Sequence, residues 1–226
     1  MKRDILFSPP ASAGQLATVV SLDDPLHANR VQVRLLAFDD VAQQDAPMWA
    51  RVLAPFAGDD RGCCFLPDTG DEVLVVFVQG DARFPLVVGG LWNGKARAPA
   101  EVQSGGRNRY KRIKSKNGIA VTLDDQDGQE TLLLETPGGQ KLTLKDGPGA
   151  CELVDSNGNS IKLESSGITV TASATVTVNA GTVKVSAGMV NVDAGMSKFS
   201  GVVQCDTLIT NAVVSSSYTP GAGNIW

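Results

Sequence analysis

Long apolar runs are missing from this sequence. No stretch approaches the roughly 20 apolar residues that a membrane-crossing helix needs. Met1-Lys2-Arg3-Asp4-Ile5-Leu6-Phe7 starts as a secretory leader does, but Asp4 interrupts it and Pro9 and Pro10 follow, so no signal peptide is predicted. Histidine is almost absent. The only one, His27, lies in the loop-like text Pro25-Leu26-His27-Ala28-Asn29, where a surface position is expected rather than a catalytic base. Nucleophile-elbow, phosphate-loop and H-E-x-x-H patterns are absent too. Four cysteines, Cys63, Cys64, Cys151 and Cys205, match no zinc spacing, and the adjacent pair is poorly placed for a disulfide; they are expected to be small buried residues. There is no cationic excess either. The net charge is -4 and the pI near 5.0, unlike a general nucleic-acid binder. The acidic pairs Asp39-Asp40, Asp59-Asp60 and Asp124-Asp125 fall in turn-like text and read as solvated turns. No catalytic, cofactor-binding or metal site is therefore expected, and no enzyme activity.

What remains is β text. Apolar residues make up 42% of the 226, enough for a packed core, and 24 glycines supply turns. Residues 1–13 form a short N-terminal tail. Residues 14–94 read as a small closed barrel of short strands: Leu16–Val20, Val31–Leu35, Trp49–Leu53, Val73–Val78 and Pro85–Trp92. Closure removes exposed strand edges. Residues 95–118 read as a neck. It carries the one basic run, Arg107, Arg109, Lys111, Arg112, Lys114 and Lys116, with no acid among them.

From 119 to 195 short two-faced strands recur between glycine turns. The period then tightens. Thr175–Gly181, Thr182–Gly188 and Met189–Gly195 are successive seven-residue units ending in glycine. Their valines fall at i and i+2, a strand spacing, and a glycine in every unit would cost a helix about 1 kcal/mol apiece. A coiled coil is thereby excluded. One strand of this length cannot bury its own apolar face, so stacked neighbours are required. A single-chain β-helix needs several faces per turn, whereas three chains wound together need one face each. In the three-chain reading Val176, Val178, Val183, Val185, Val190 and Val192 meet on the axis, and Thr177, Thr182, Lys184 and Asn191 face outward.

The text Trp49-Ala50-Arg51-Val52, Phe65-Leu66-Pro67-Asp68-Thr69-Gly70-Asp71-Glu72-Val73, Gly80-Asp81 and Leu91-Trp92-Asn93-Gly94 resembles the phage baseplate assembly protein V and type VI secretion spike family. So do Lys114–Gly118, Thr136–Gly139 and Asp155–Asn159. The resemblance implies an all-β chain: an N-terminal OB-fold barrel, with Trp49, Phe65, Pro67, Gly70, Val73, Gly80 and Trp92 as structural residues, followed by an intertwined trimeric β-helix. It implies a homotrimeric central spike of a phage tail, tailocin or secretion machine that pierces a target cell envelope. Residues 1–13 are too short for the hub region of the long type VI spikes, so a separate trimeric hub protein is expected at the barrel end. The His-X-His iron motif of some phage spikes has no counterpart here. The expected location is the virion baseplate, or the bacterial cytoplasm before assembly.

Two rival functions remain on the sequence alone: an OB-fold module for nucleic acid or oligosaccharide, and a cell-wall-degrading spike enzyme. The tail is also open. The seven-residue repeat stops after Gly195, and from 168 onward the charged residues are Lys184, Asp193, Lys198 and Asp206. Residues 196–226 would form the distal end. There Tyr218, Ile225 and Trp226 either dock a small tip protein of the proline-alanine-alanine-arginine repeat class or cap the trimer themselves.

Overall fold

A computed structural model describes residues 14–38, 46–103, 105–147 and 150–217. Strands β1 (Gln15–Ser21), β2 (Val31–Leu35), β3 (Met48–Val52), β6 (Glu72–Phe77) and β7 (Pro85–Leu91) close into a barrel in the order β1-β2-β3-β7-β6. All neighbours run antiparallel except β3 and β7, whose parallel pairing closes the barrel. This is an OB fold. Alternation in each strand drives it: Ala17 and Val19, Val31, Val33 and Leu35, Val73, Val75 and Phe77, and Val87 all turn inward, with Ala50 among them. The intervening residues face out, as the pleat requires. A two-stranded hairpin, β4 (Ala57–Gly58) and β5 (Arg61–Gly62), projects between β3 and β6.

The β1–β2 loop is held by one carboxylate. Asp24 is buried and accepts the backbone N–H groups of Leu26, Ala28 and Arg30 at 3.1, 2.9 and 3.2 Å. The Arg30 guanidinium donates to it at 2.6 Å and lies 5.6 Å from the centre of the Trp49 ring. That guanidinium, above all, holds the Asp24 carboxyl well below the usual carboxylate range, against the opposing effect of desolvation. Because the folded state favours the charged form, the carboxylate stabilises fully above the unfolded group's pKa of about 3.9 and loses its contribution as pH falls below it. Asp24→Asn should therefore melt earlier than the parent at pH 7, followed by tryptophan fluorescence. The gap should narrow steadily below about pH 4. A gap independent of pH would show that the charge does not hold the loop.

Seven further strands form a second sheet, an antiparallel meander: β8 (Tyr110–Lys114), β9 (Ala120–Asp124), β10 (Thr131–Glu135), β11 (Lys141–Lys145), β12 (Ala150–Val154), β13 (Ser160–Glu164) and β14 (Gly167–Thr171). At one end the turns share a plan. Gly118, Gly139 and Gly158 have φ of 94°, 91° and 85°, which a side chain would resist. The strand at β8 falls inside the span read as a neck, and β12 and β14 join the strands evident from the sequence. From 172 to 217 no residue belongs to a strand or helix. Residues 177–217 belong to a unit separate from the rest by their contacts. No helix among the described residues is long and apolar enough to cross a membrane.

The cysteines correct the sequence reading. Cys64 and Cys205 are exposed, and Cys63 and Cys151 only partly covered. Cys63 and Cys64 follow the β4–β5 hairpin, outside the barrel core, so the small apolar side chain has no interior to enter.

Candidate assembly surface

The register of the second sheet sorts its side chains by face. One cross-strand row runs Ile113, Val121, Leu134, Leu142, Leu153, Ile161, Val170. Two residues along, and so on the same face, runs Lys111, Leu123, Leu132, Leu144, Cys151, Leu163, Ile168. Apart from Lys111 at the edge, this face is apolar throughout. Leu123, Leu134, Leu144, Leu153, Ile161 and Leu163 are nonetheless exposed, because no described element packs over them. A contiguous apolar face of this kind marks an interaction surface.

The opposite face is ionic. Its middle row is Arg112, Thr122, Leu133, Thr143, Glu152, Lys162, Thr169. The basic run finds partners that its own neighbours in sequence do not supply. Arg109 pairs with Asp124, Lys111 with Asp125, and Arg112 with Glu135 at 2.5 Å. Lys116 reaches Asp68 on the barrel at 3.5 Å. The Arg109 guanidinium lowers the Asp124 pKa. The acids that match the run sit on paired strands rather than beside it, so Asp124-Asp125 is not a free turn.

At the end of the sheet, Asp155 organises the β12–β13 turn. Its carboxylate accepts the Asn159 side-chain amide at 2.7 Å and the N–H groups of Asn157 and Asn159 at 2.8 and 2.9 Å. The Asn159 side chain is the main reason that its pKa falls to about 2. Asn159 in turn accepts the Ser173 N–H at 2.8 Å, which ties down the chain two residues after β14. Beyond that point the backbone changes state. Among the described residues, no backbone–backbone hydrogen bond joins any residue from 174 to 217. Val176, Val178, Val183, Val185, Val190 and Val192 are all exposed in the single chain.

The barrel residues singled out from the sequence fall in different places. Val73 is in the core and Trp49 is partly buried beneath Arg30. The Gly70 N–H donates to the Val19 carbonyl at 2.8 Å, with φ of 96°. Asp71 accepts the Asp68 N–H at 2.8 Å, shaping the turn into β6. Gly80 ends a short 3-10 turn. Pro67 is partly covered, while Phe65 and Trp92 are exposed and line a groove with Arg112 and Ile113 of β8. Asn93 donates to Glu72 at 2.8 Å and accepts the N–H groups of Lys95 and Ala96. His27 is exposed in its loop with φ of 49°. Tyr218, Ile225 and Trp226 lie outside the described residues. Among the described residues, no group of three His, Cys, Asp or Glu is placed to hold a metal ion.

Two family models match this architecture. Residues 15–92, the barrel, match the type VI secretion system/phage-baseplate injector OB domain. Residues 131–196, from β10 through the seven-residue units, match the phage baseplate V C-terminal trimerisation domain. The chain belongs to the baseplate V and type VI spike family. Among its curated relatives is the type VI secretion system spike protein VgrG4b of Pseudomonas aeruginosa, 32% identical over 147 residues, 58% of this chain and 18% of that protein. VgrG1c of the same organism is 28% identical over 116 residues, 47% of this chain and 15% of its own length. VgrG3 of Vibrio cholerae is 27% identical over 96 residues, 41% of this chain and 9% of its own. The chain thus spans less than a fifth of each of these baseplate V and spike relatives. The aliphatic sheet face lies largely inside the matched trimerisation domain. The sequence carries a signal for it: apolar residues at i and i+2 in Val121/Leu123, Leu132/Leu134, Leu142/Leu144 and Ile161/Leu163.

Proposed function

We propose that the chain is a structural protein, the central spike of a contractile injection machine, assembled as a homotrimer. One observation carries the reading. The segment from 174 to 217 is rich in valine, regular in its glycines and, among the described residues, without a single backbone partner. Orphaned backbone groups next to exposed valines are unstable in water-poor surroundings and gain nothing by remaining extended. Two further copies supply both ladder partners and apolar cover. The same threefold operation brings the aliphatic faces of β8–β14 together and turns their ionic faces to solvent.

In this reading the barrel end meets a trimeric hub, and the far end carries the point of the spike. Tyr218, Ile225 and Trp226 offer an apolar seat for a small tip protein of the proline-alanine-alanine-arginine class. The spike pierces the target envelope mechanically, with no cofactor and no bond made or broken. Its place is the baseplate of a virion or related particle, or the producing cell before assembly. Nucleic-acid binding is disfavoured by the pairing of Arg109, Lys111 and Arg112 with carboxylates, which cancels the field that phosphates would feel.

Gold-labelled antibody against the chain tests the placement. On contractile particles from the producing cells, label should sit on the particle axis at the baseplate end. Label along the sheath, or none on intact and contracted particles alike, would overturn the assignment.

A further inference from the structure

The repeat does not end at Gly195. The chain bends at Gly181, Gly188 and Gly195, seven residues apart, and then at Ser200–Gly201, Asp206, Asn211 and Ser216, five apart. Every one of these later corners is Gly, Asp, Asn or Ser, the residues that tolerate tight turns. Each five-residue unit from 201 places two apolar residues between corners: Val202-Val203, Leu208-Ile209 and Val213-Val214. The two are not equivalent. Val203, Leu208 and Val213, themselves five apart, are 61%, 70% and 60% exposed, whereas Val202, Ile209 and Val214 are 97%, 94% and 100% exposed. The first set is thus the better covered, and it falls at the same position of every five-residue unit.

We infer that residues 196–217 extend the interchain interface beyond the matched trimerisation domain, as a narrower three-chain helix with five residues per side. The occupant of the Val203/Leu208/Val213 column is the same column of two further copies. The inference rests on the homotrimer reading. Three observations support it: unbroken continuity with the seven-residue units, the absence of in-chain backbone partners among the described residues, and the regular corners. At about 3.3 Å per residue, the side of the triangle shortens from about 23 to about 16 Å. The change of period is therefore a taper. It narrows the shaft where a piercing device must be thin, while each corner keeps its turn residue. Val202, Ile209 and Val214 are left on the outer side, and the narrowing needs no metal or separate domain.

Limited chymotrypsin digestion of the full-length protein, with mass spectrometry and light scattering, tests this. Phe199 and Leu208 are cleavage points inside the segment. The inference expects a trimer in which both resist cleavage. Leu208→Asp should speed cleavage after Phe199 at least about tenfold, as three carboxylates open the column, and Ile209→Asp should leave it unchanged. A trimer cut at Phe199 as fast as a denatured control would overturn the taper and leave the trimer standing. Equal effects of the two variants, or a larger effect of Ile209→Asp, would overturn it as well. A monomeric mass would sink the homotrimer reading and the taper with it.

Discussion

Leu142→Asp is expected to leave the chain unable to assemble. Leu142 stands on β11, the middle strand of the seven, between Leu134 and Leu153 in the aliphatic row. Threefold assembly would bring three copies of the new carboxyl into one dry interface. Charged, each loses hydration worth several kcal/mol and repels the other two. Protonated, each still forfeits about 2 kcal/mol of leucine burial and pays for the raised pKa. Over three chains the loss is on the order of 10 kcal/mol, comparable to the whole stability of an ordinary domain. Light scattering should find the parent at about three times 23.6 kDa and the variant as monomer or aggregate. Thr143→Lys is the control. It lies one residue along, so on the other face, directly across from Glu152. It should keep the trimer and shift melting by no more than a few degrees. The barrel has its own core and should stay folded in both. Equal behaviour of the two variants would mean that the aliphatic face is not the interface.

The barrel was legible because its signals are local. Alternation in Val31–Leu35 and Glu72–Phe77 sets which side chains enter the core, and glycine and proline mark the turns. Phe65 and Trp92 stand outside the core that alternation marks. They belong to the barrel's family pattern, yet they are exposed and face a groove toward β8. The basic run misled. Arg109, Lys111 and Arg112 have no acid nearby in sequence, and only the pairing of β8 with β9, and of β9 with β10, brings Asp124, Asp125 and Glu135 to them. Tertiary pairing of charges is invisible to a linear reading. The assembly surface was half legible. The seven-residue valine units are conspicuous because the period is short and strict. The aliphatic face of β8–β14 is spread over loops of differing length, so its rows appear only once the register is known. The five-residue units are masked in the text for a different reason: Gly201, Asp206, Asn211 and Ser216 are chemically distinct residues at one repeating corner.

The second large effect concerns the backbone itself. Among the described residues of the single chain the amides from 174 to 195 have no backbone acceptor, so water reaches them and their hydrogens should exchange at the rate of an unstructured peptide. In an intertwined trimer the same amides donate across chains. Exchange then waits for strands of three chains to part, an opening that costs several kcal/mol and slows exchange by on the order of 10⁴ or more. A side-by-side association through the β8–β14 faces alone would leave these amides open. Hydrogen–deuterium exchange on the purified full-length protein, read on peptides covering Val176 to Gly195, is thus the most direct measurement of the central claim. Deep protection across all three seven-residue units is the result predicted. Exchange complete within seconds, in a protein whose barrel amides are protected, would contradict it.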